Sequence, residues 1–352
     1  MSLKIGIVGL ANVGKSTLFN VLTNAQVLAA NYPFATIEAN TGMVAVPDER
    51  LEVLAKLYQS EKIVPAMIEF VDIAGLIQGA AKGEGLGNKF LANIRECAVI
   101  CQVVRVFSDT NILRVAGSAD PKGDIETVET ELALSDIEVL ERALDKMRRE
   151  VKSGDKQAME RYEKAQLVLE QLKSGKTQVE PVEGLDLLCA KPSFLTFNMS
   201  EAQLGDESLK QELRQLAAGR KAVFLNVKLE EEMLGMTKEE KRAFLESYNI
   251  QDDGLSQLAK IAYETLGLQS FLTAGKKEVR AWTVKVGAKA PEAAGVIHSD
   301  FEHGFIAASV CKYDDLVRLG SEKAVKEAGL LRTEGKDYVM QEGDVVEFRF
   351  NV

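Results

Sequence analysis

Gly9-Leu10-Ala11-Asn12-Val13-Gly14-Lys15-Ser16 has the spacing of a loop that wraps phosphates. Its glycines let backbone N–H groups turn toward an anion. Lys15 neutralises the β- and γ-phosphates of a nucleoside triphosphate, and the Ser16 hydroxyl is set to ligate Mg2+. A helix opening near Ser16 adds its positive end. Asn12, Val13, Gly14, Lys15, Ser16 and Thr17 are therefore the phosphate-side candidates. Asp72-Ile73-Ala74-Gly75 follows 57 residues after Lys15, at the end of a strand-like run. Asp72 would hold the metal through water, and the Gly75 N–H would meet the γ-phosphate, so Gly75 joins Lys15 as a catalytic candidate. Between them, Asn31-Tyr32-Pro33-Phe34-Ala35-Thr36 supplies Thr36 as a second hydroxyl ligand of magnesium. After Gly75 stands Leu76, where a glutamine would orient the attacking water. Leucine can do no such thing. Either another residue positions the water or intrinsic hydrolysis is slow.

The base side is altered in a specific way. Guanine-selective P-loop proteins use N-K-x-D after a late strand, the aspartate accepting from guanine N1–H and its exocyclic amine. Here the equivalent stretch is Asn198-Met199-Ser200-Glu201. Asn198 can still bond a purine edge, Met199 offers an adaptable apolar surface, and Glu201 breaks the guanine-selecting geometry. Unsatisfied polar groups discriminate strongly, so ATP is expected over GTP. The alternative is a site with little base preference. Phe107, at the end of a strand, and Asn226 in Asn226-Val227 complete the candidate nucleotide contacts.

These residues need elements to hold them. Ile5–Val8, Ile68–Asp72, Val99–Phe107, Phe194–Phe197 and Ala222–Leu225 read as strands of a parallel βαβ sheet. The continuous apolar character of 99–107 fits burial on both faces. In the middle, Ile137, Leu140, Leu144, Met147 and Val151 repeat at heptad spacing. The rhythm restarts at Ala158, Tyr162, Ala165, Leu169 and Leu172 after a break in which Gly154 ends one helix and Asp155 caps the next. This predicts a helical hairpin inserted into the sheet domain over 119–189. From about 275, strand patterns at Val279–Val286 and at the C-terminus (Val346, Phe348, Phe350, Val352 on one face) flank a helix-like stretch, Ser321–Ala328, which suggests a small α+β module.

With 352 residues the chain is long enough for two or three domains. Its apolar runs are too short to span a bilayer, its start has no signal-peptide anatomy, and its four cysteines (Cys97, Cys101, Cys189, Cys311) lie in apolar stretches. Buried, reduced thiols in the cytoplasm are expected. A net charge of −10 excludes a general nucleic-acid coat. One local exception is Lys146–Lys176, where nine basic residues face five acidic ones. This arm is the candidate for an RNA contact.

At these motifs the chain resembles the YchF/Obg-like ATPase family, a branch of the translation-factor-related P-loop proteins. The matching residues are Asn12–Thr17, Asn31–Phe34, Val71–Leu76, Gly83–Asn88, Asn198–Glu201, Lys277–Thr283 and His298–Phe301. The resemblance implies an α/β P-loop NTPase (GTPase-like) domain from 1–118 and 190–274, an inserted α-helical hairpin (coiled-coil) domain at 119–189, and a C-terminal α+β TGS (β-grasp) domain at 275–352. It implies Mg2+-dependent ATP hydrolysis; Leu76 in place of glutamine makes a low intrinsic rate the expectation, for a chain expected to be monomeric and to bind ATP or ADP. It also implies association with the ribosome, on its large subunit or as a whole, through the helical arm or the TGS domain, with a link to stress responses. Many relatives carry a histidine in the loop after the third strand, and here that position is Arg114. A histidine-based mechanism is not expected, and Arg114 becomes the candidate for stabilising transition-state charge. Two other functions compete: a GTPase translation factor, and a ribosome- or RNA-binding adaptor that keeps ATP as a structural ligand.

Overall fold

The computed structural model describes residues 3–29, 40–73, 86–108, 121–151, 155–248, 250 and 253–351. The chain divides into two compact units: Met1–Met43 with Glu69–Ala262, and Val44–Ile68 with Tyr263–Val352.

In the first unit the strands are β1 (Lys4–Val8), β2 (Thr41–Ala45), β4 (Met67–Asp72), β5 (Val99–Arg105), β6 (Ser193–Asn198) and β7 (Ala222–Leu225), while β3 (Lys62–Val64) belongs elsewhere. Their order is β2-β4-β1-β5-β6-β7. β1 pairs in parallel with both β4 and β5, and the parallel ladder continues through β6 to β7. All seven residues of β5 are buried, as expected for a strand covered on both faces. Ile5, Ile7, Val8, Phe194 and Phe197 are also excluded from solvent. Each such side chain contributes about 1.5–3 kcal/mol relative to exposure. Phe197 stacks on Phe224 of β7 at 5.5 Å between ring centroids.

The middle of the chain forms two helices, Pro121–Glu150 and Lys156–Lys173. Asp155 caps the second as its sequence position predicts, its side chain accepting from Gln157 N–H at 3.0 Å. Gly154 lies outside the described residues. The helices face each other through Leu140 and Met147 on one and Ala165, Val168 and Leu172 on the other, all buried. A Lys173–Glu141 ion pair at 2.7 Å bridges them. Inside this layer Asp136 is fully buried. It accepts from Leu188 N–H at 3.0 Å and Cys189 N–H at 2.8 Å, with Arg95 at 3.4 Å. These bonds anchor the long helix to the segment that returns the chain to β6. The helical pair thus clusters with the parallel sheet as one compact unit.

The second unit holds another six-stranded sheet, ordered β11-β10-β12-β8-β9-β3. Here β8 is Leu268–Ala274, β9 Glu278–Lys285, β10 Phe305–Lys312, β11 Arg332–Glu334 and β12 Asp344–Phe350. β8 and β9 form an antiparallel hairpin, β10 lies antiparallel to β11 and β12, and β12 runs parallel to β8. Helices Ala290–Ile297 and Glu322–Glu327 accompany it. Its core gathers Phe271, Ala290, Ala294, Ala308 and Val310. This unit begins earlier than the sequence predicts, near 263, and it also recruits 44–68. The cause is β3, which pairs in parallel with β9 from Lys62↔Glu278 to Val64↔Arg280. All four cysteines are free and buried, and no helix among the described residues is long and apolar enough to cross a membrane.

Candidate nucleotide site

The site residues gather at the carboxyl ends of parallel strands, the rim where ligands bind in open α/β sheets. The turn after β1 is one the sequence can adopt only with glycine at two points. Gly9 has φ +154°, and a Cβ there would lie 2.5 Å from the Val103 carbonyl oxygen. Gly14 has φ +99°, and a Cβ there would lie 2.5 Å from Asn198 Nδ2. Asn12 takes the left-handed φ of +63° between them. The loop then feeds directly into the helix Lys15–Ala29. Ser16 and Thr17 stand exposed in its first turn.

Lys15 is only 6% exposed and donates from Nζ to the Leu10 carbonyl at 2.6 Å. Burial lowers its pKa to about 8, against the opposing pull of Asp72. Register places Ile7 beside Asp72, so Asp72 ends β4 next to the phosphate loop. Its Oδ1 is buried and finds no hydrogen-bond partner among the described residues. A buried carboxylate oxygen without a partner, whose charge acts on the ammonium group of Lys15, fits a magnesium-bound triphosphate. Ser16 and Asp72, the latter through water, would hold that ion, which screens phosphate charge and polarises the γ-phosphate. The described residues contain no cluster of three or more His, Cys, Asp or Glu side chains suited to a metal.

Asn198 closes the arrangement from the neighbouring strand end. Its Nδ2 donates to the Val13 carbonyl at 3.0 Å, and its Oδ1 accepts from Val227 N–H at 3.2 Å. One side chain thus clamps the phosphate loop to the helix that follows β7. The sequence sees Asn198 as a purine contact; in the structure its side chain braces the loop that holds the phosphates. The expectation for Met199 is corrected. It is fully buried, packed with Phe197, Leu204 and Leu229, and presents no surface to a base. Residue 199 points inward because alternation along the strand end sends 198 to the rim and 199 to the core. Glu201 is exposed at the start of the short helix Glu201–Leu204, whose capping box joins Ser200 and Gln203. That box was readable as Ser-x-x-Gln. Asn226 caps the helix Val227–Glu232, accepting from Leu229 N–H at 2.9 Å, so its carbonyl oxygen is already engaged.

Sequence reasoning passed over Arg105. It is 3% exposed at the end of β5, donates from Nε to the Phe107 carbonyl at 3.2 Å, and lies with its guanidinium 4.4 Å from the Phe107 ring centroid. It holds Phe107 at the rim, where Phe107 N–H reaches the Asn198 carbonyl at 3.4 Å. A charged residue ending a strand that is apolar apart from Gln102 was the available signal. Thr36, Gly75, Leu76 and Arg114 lie outside the described residues.

Comparison with known proteins agrees with this geometry. Residues 4–133 match the family described as 50S ribosome-binding GTPase, and residues 268–351 match one named for the C-terminal domain of YchF GTPases and described as a protein of unknown function. The chain is 49% identical over 363 residues to the ribosome-binding ATPase YchF of Haemophilus ducreyi, with all of both chains covered. The chain belongs to the YchF family. The Bacillus subtilis YchF, also named a ribosome-binding ATPase, is 49% identical over 366 residues, again with full coverage of both. The YchF GTPase structure of Schizosaccharomyces pombe superposes with a TM-score of 0.85 at 36% identity, covering 99% of this chain and 98% of that one. A GTP-binding protein of Pyrococcus horikoshii shares the fold, with a TM-score of 0.60 at 19% identity. Phosphate loop, Asp72 and Asn198 brace therefore sit in a YchF framework that runs the whole length of the chain.

Proposed function

We propose that this chain is a Mg2+-dependent ATPase, selective for ATP over GTP, whose nucleotide state governs association with the ribosome in the cytoplasm. The observation that carries the catalytic half is the buried pair of Lys15 and the partnerless Asp72 Oδ1 under the glycine turn. ATP selectivity is supported by Glu201, where guanine-selective proteins have aspartate, and by an apolar, inward-facing Met199 in place of lysine. Glu201 carries its carboxylate one methylene further out than aspartate, so the guanine N1–H and amine would lose the geometry that selects them, a costly loss for polar groups. The ribosome enters from the names of the relatives, ribosome-binding ATPases in Haemophilus ducreyi and Bacillus subtilis. The second unit fits a TGS module of the β-grasp type. Within residues 263–352 the first and last strands, β8 and β12, run parallel in the sheet, with antiparallel neighbours β9 and β10 outside them. The exposed basic residues Arg148, Arg149 and Lys156 on the helical pair suit contact with ribosomal RNA.

Cosedimentation with ribosomes in the nucleotide-free, ADP-bound and non-hydrolysable-ATP-bound states tests the switch. Binding should differ between the ATP-like and ADP states by about tenfold, or 1.4 kcal/mol. Equal binding in all three states would leave an adaptor, not a switch.

A further inference from the structure

The second unit contains a cavity of about 460 Å³ that nucleotide chemistry does not use. That is within the size range of ligand pockets, roughly 300–1,000 Å³. Its apolar walls include Tyr58, Trp282 and Phe301, and its polar lining includes three carboxylates, Glu278, Glu322 and Glu347. Among the described residues, no lysine or arginine lines it. No lysine, arginine or histidine among the described residues forms an ion pair with any of the three. Arg280, whose guanidinium lies 3.9 Å from the Trp282 ring centroid, is outside the lining.

The walls are held by packing. Phe301 stacks on Phe350 at 3.7 Å between centroids. Trp282 Nε1 donates to Thr273 Oγ1 at 2.9 Å, which fixes the indole plane. These bonds keep an aromatic surface in place beside the three carboxylates, with Arg280 of this chain stacked on the Trp282 ring. Tyr58 senses that charge: burial first, then Glu322, Cys311 and Glu347, push its hydroxyl up to about 12.

We infer that this cavity receives a lysine or arginine side chain from a basic segment of a partner protein. Aromatic faces attract a cation through their quadrupoles, and carboxylates bond its N–H groups. A long side chain also brings an apolar stem that suits the walls. An RNA phosphate meets only repulsion from three carboxylates. The chain's net charge of −10 favours approach of a basic partner from a distance. The inference is independent of nucleotide hydrolysis and of ribosome binding.

Trp282 is the sole tryptophan of the chain, so its fluorescence reports this pocket in the full-length protein. The probes are a capped Gly-Arg-Gly-Arg-Gly peptide, the same peptide with glutamine for arginine, spermidine and a short oligouridylate. The arginine peptide should give a saturable change with a Kd of about 1 mM or tighter. The glutamine peptide, spermidine and the oligonucleotide should each bind at least about tenfold more weakly. Glu322→Gln with Glu347→Gln, both at exposed positions, should weaken the arginine peptide by about tenfold while the melting temperature stays within a few degrees. A response as strong to the glutamine peptide, to spermidine or to the oligonucleotide would overturn the assignment. So would no saturable response to the arginine peptide, or affinity unchanged in the folded double variant.

Discussion

Lys15 must be charged to hold phosphates, yet burial lowers its pKa to about 8 in the free protein. Bound phosphates raise it again, so binding above that pH takes up a proton. The sign follows. Affinity is complete below pH of about 8 and falls by up to tenfold per pH unit above it, until the pKa of the complex is reached. Titrations of ATP binding from about pH 7 to 10 check this, and constant affinity over that range would be incompatible with a buried, partly neutral Lys15. Lys15→Ala should remove tight binding and leave the fold intact, as measured by thermal unfolding. Asn198 makes a different prediction. Asn198→Ala leaves the Val13 carbonyl and Val227 N–H without their partner, at about 1–3 kcal/mol each when buried. It should lower the melting temperature and ATP affinity together. A loss of affinity at unchanged stability would return Asn198 to the role of a pure base contact. The phosphate loop was legible because its chemistry is local and its spacing fixed. The brace was not, since it joins Asn198 to Val13 across 185 residues, a distance only tertiary structure closes.

At the scale of elements, the helix Val227–Glu232 carries a carboxyl group, that of Glu230, which the fold buries. Glu230 Oε1 accepts from Gly254 N–H at 3.0 Å, tying this helix to the start of the helix Gly254–Thr265. Burial, with Asp253 adding repulsion, pushes its pKa from 4.5 up to about 8, although the N–H groups of Gly254 and Leu255 pull the other way. A raised carboxyl pKa means that the folded state binds the extra proton. Its contribution to stability is present below 4.5 and is lost as pH rises toward about 8. The melting temperature of the wild type should therefore decline over this interval relative to Glu230→Gln, whose amide oxygen can still accept from Gly254. Parallel profiles for the two proteins would show that Glu230 is ionised in the fold. The strands β1, β5, β6 and β7 were legible from their apolar runs. β3 was not, because three residues, Lys62-Ile63-Val64, carry too little pattern to announce a strand, and their partner lies more than two hundred residues away in β9.

At the scale of the whole molecule, the two compact units separate two chemistries. The first presents Lys15, Asp72 and the Asn198 brace at the rim of a parallel sheet. The second presents an aromatic, acidic cavity. Periodicity set the helical pair and the C-terminal module apart in the sequence, whereas the recruitment of 44–68 into the second unit left no pattern to read. Reversing charge at Arg148, Arg149, Lys152 and Lys156 to glutamate should weaken ribosome binding and flatten its salt dependence, with ATP turnover unchanged. Loss of turnover in that variant would mean that the helical pair serves the nucleotide site itself. The central claim is that a P-loop of GTPase type here serves adenine. Displacement of a labelled nucleotide by unlabelled ATP and GTP, in Mg2+ at neutral pH, tests it most directly. ATP should compete at least about tenfold more tightly, a difference of 1.4 kcal/mol; GTP competing as well as ATP, or better, would contradict it.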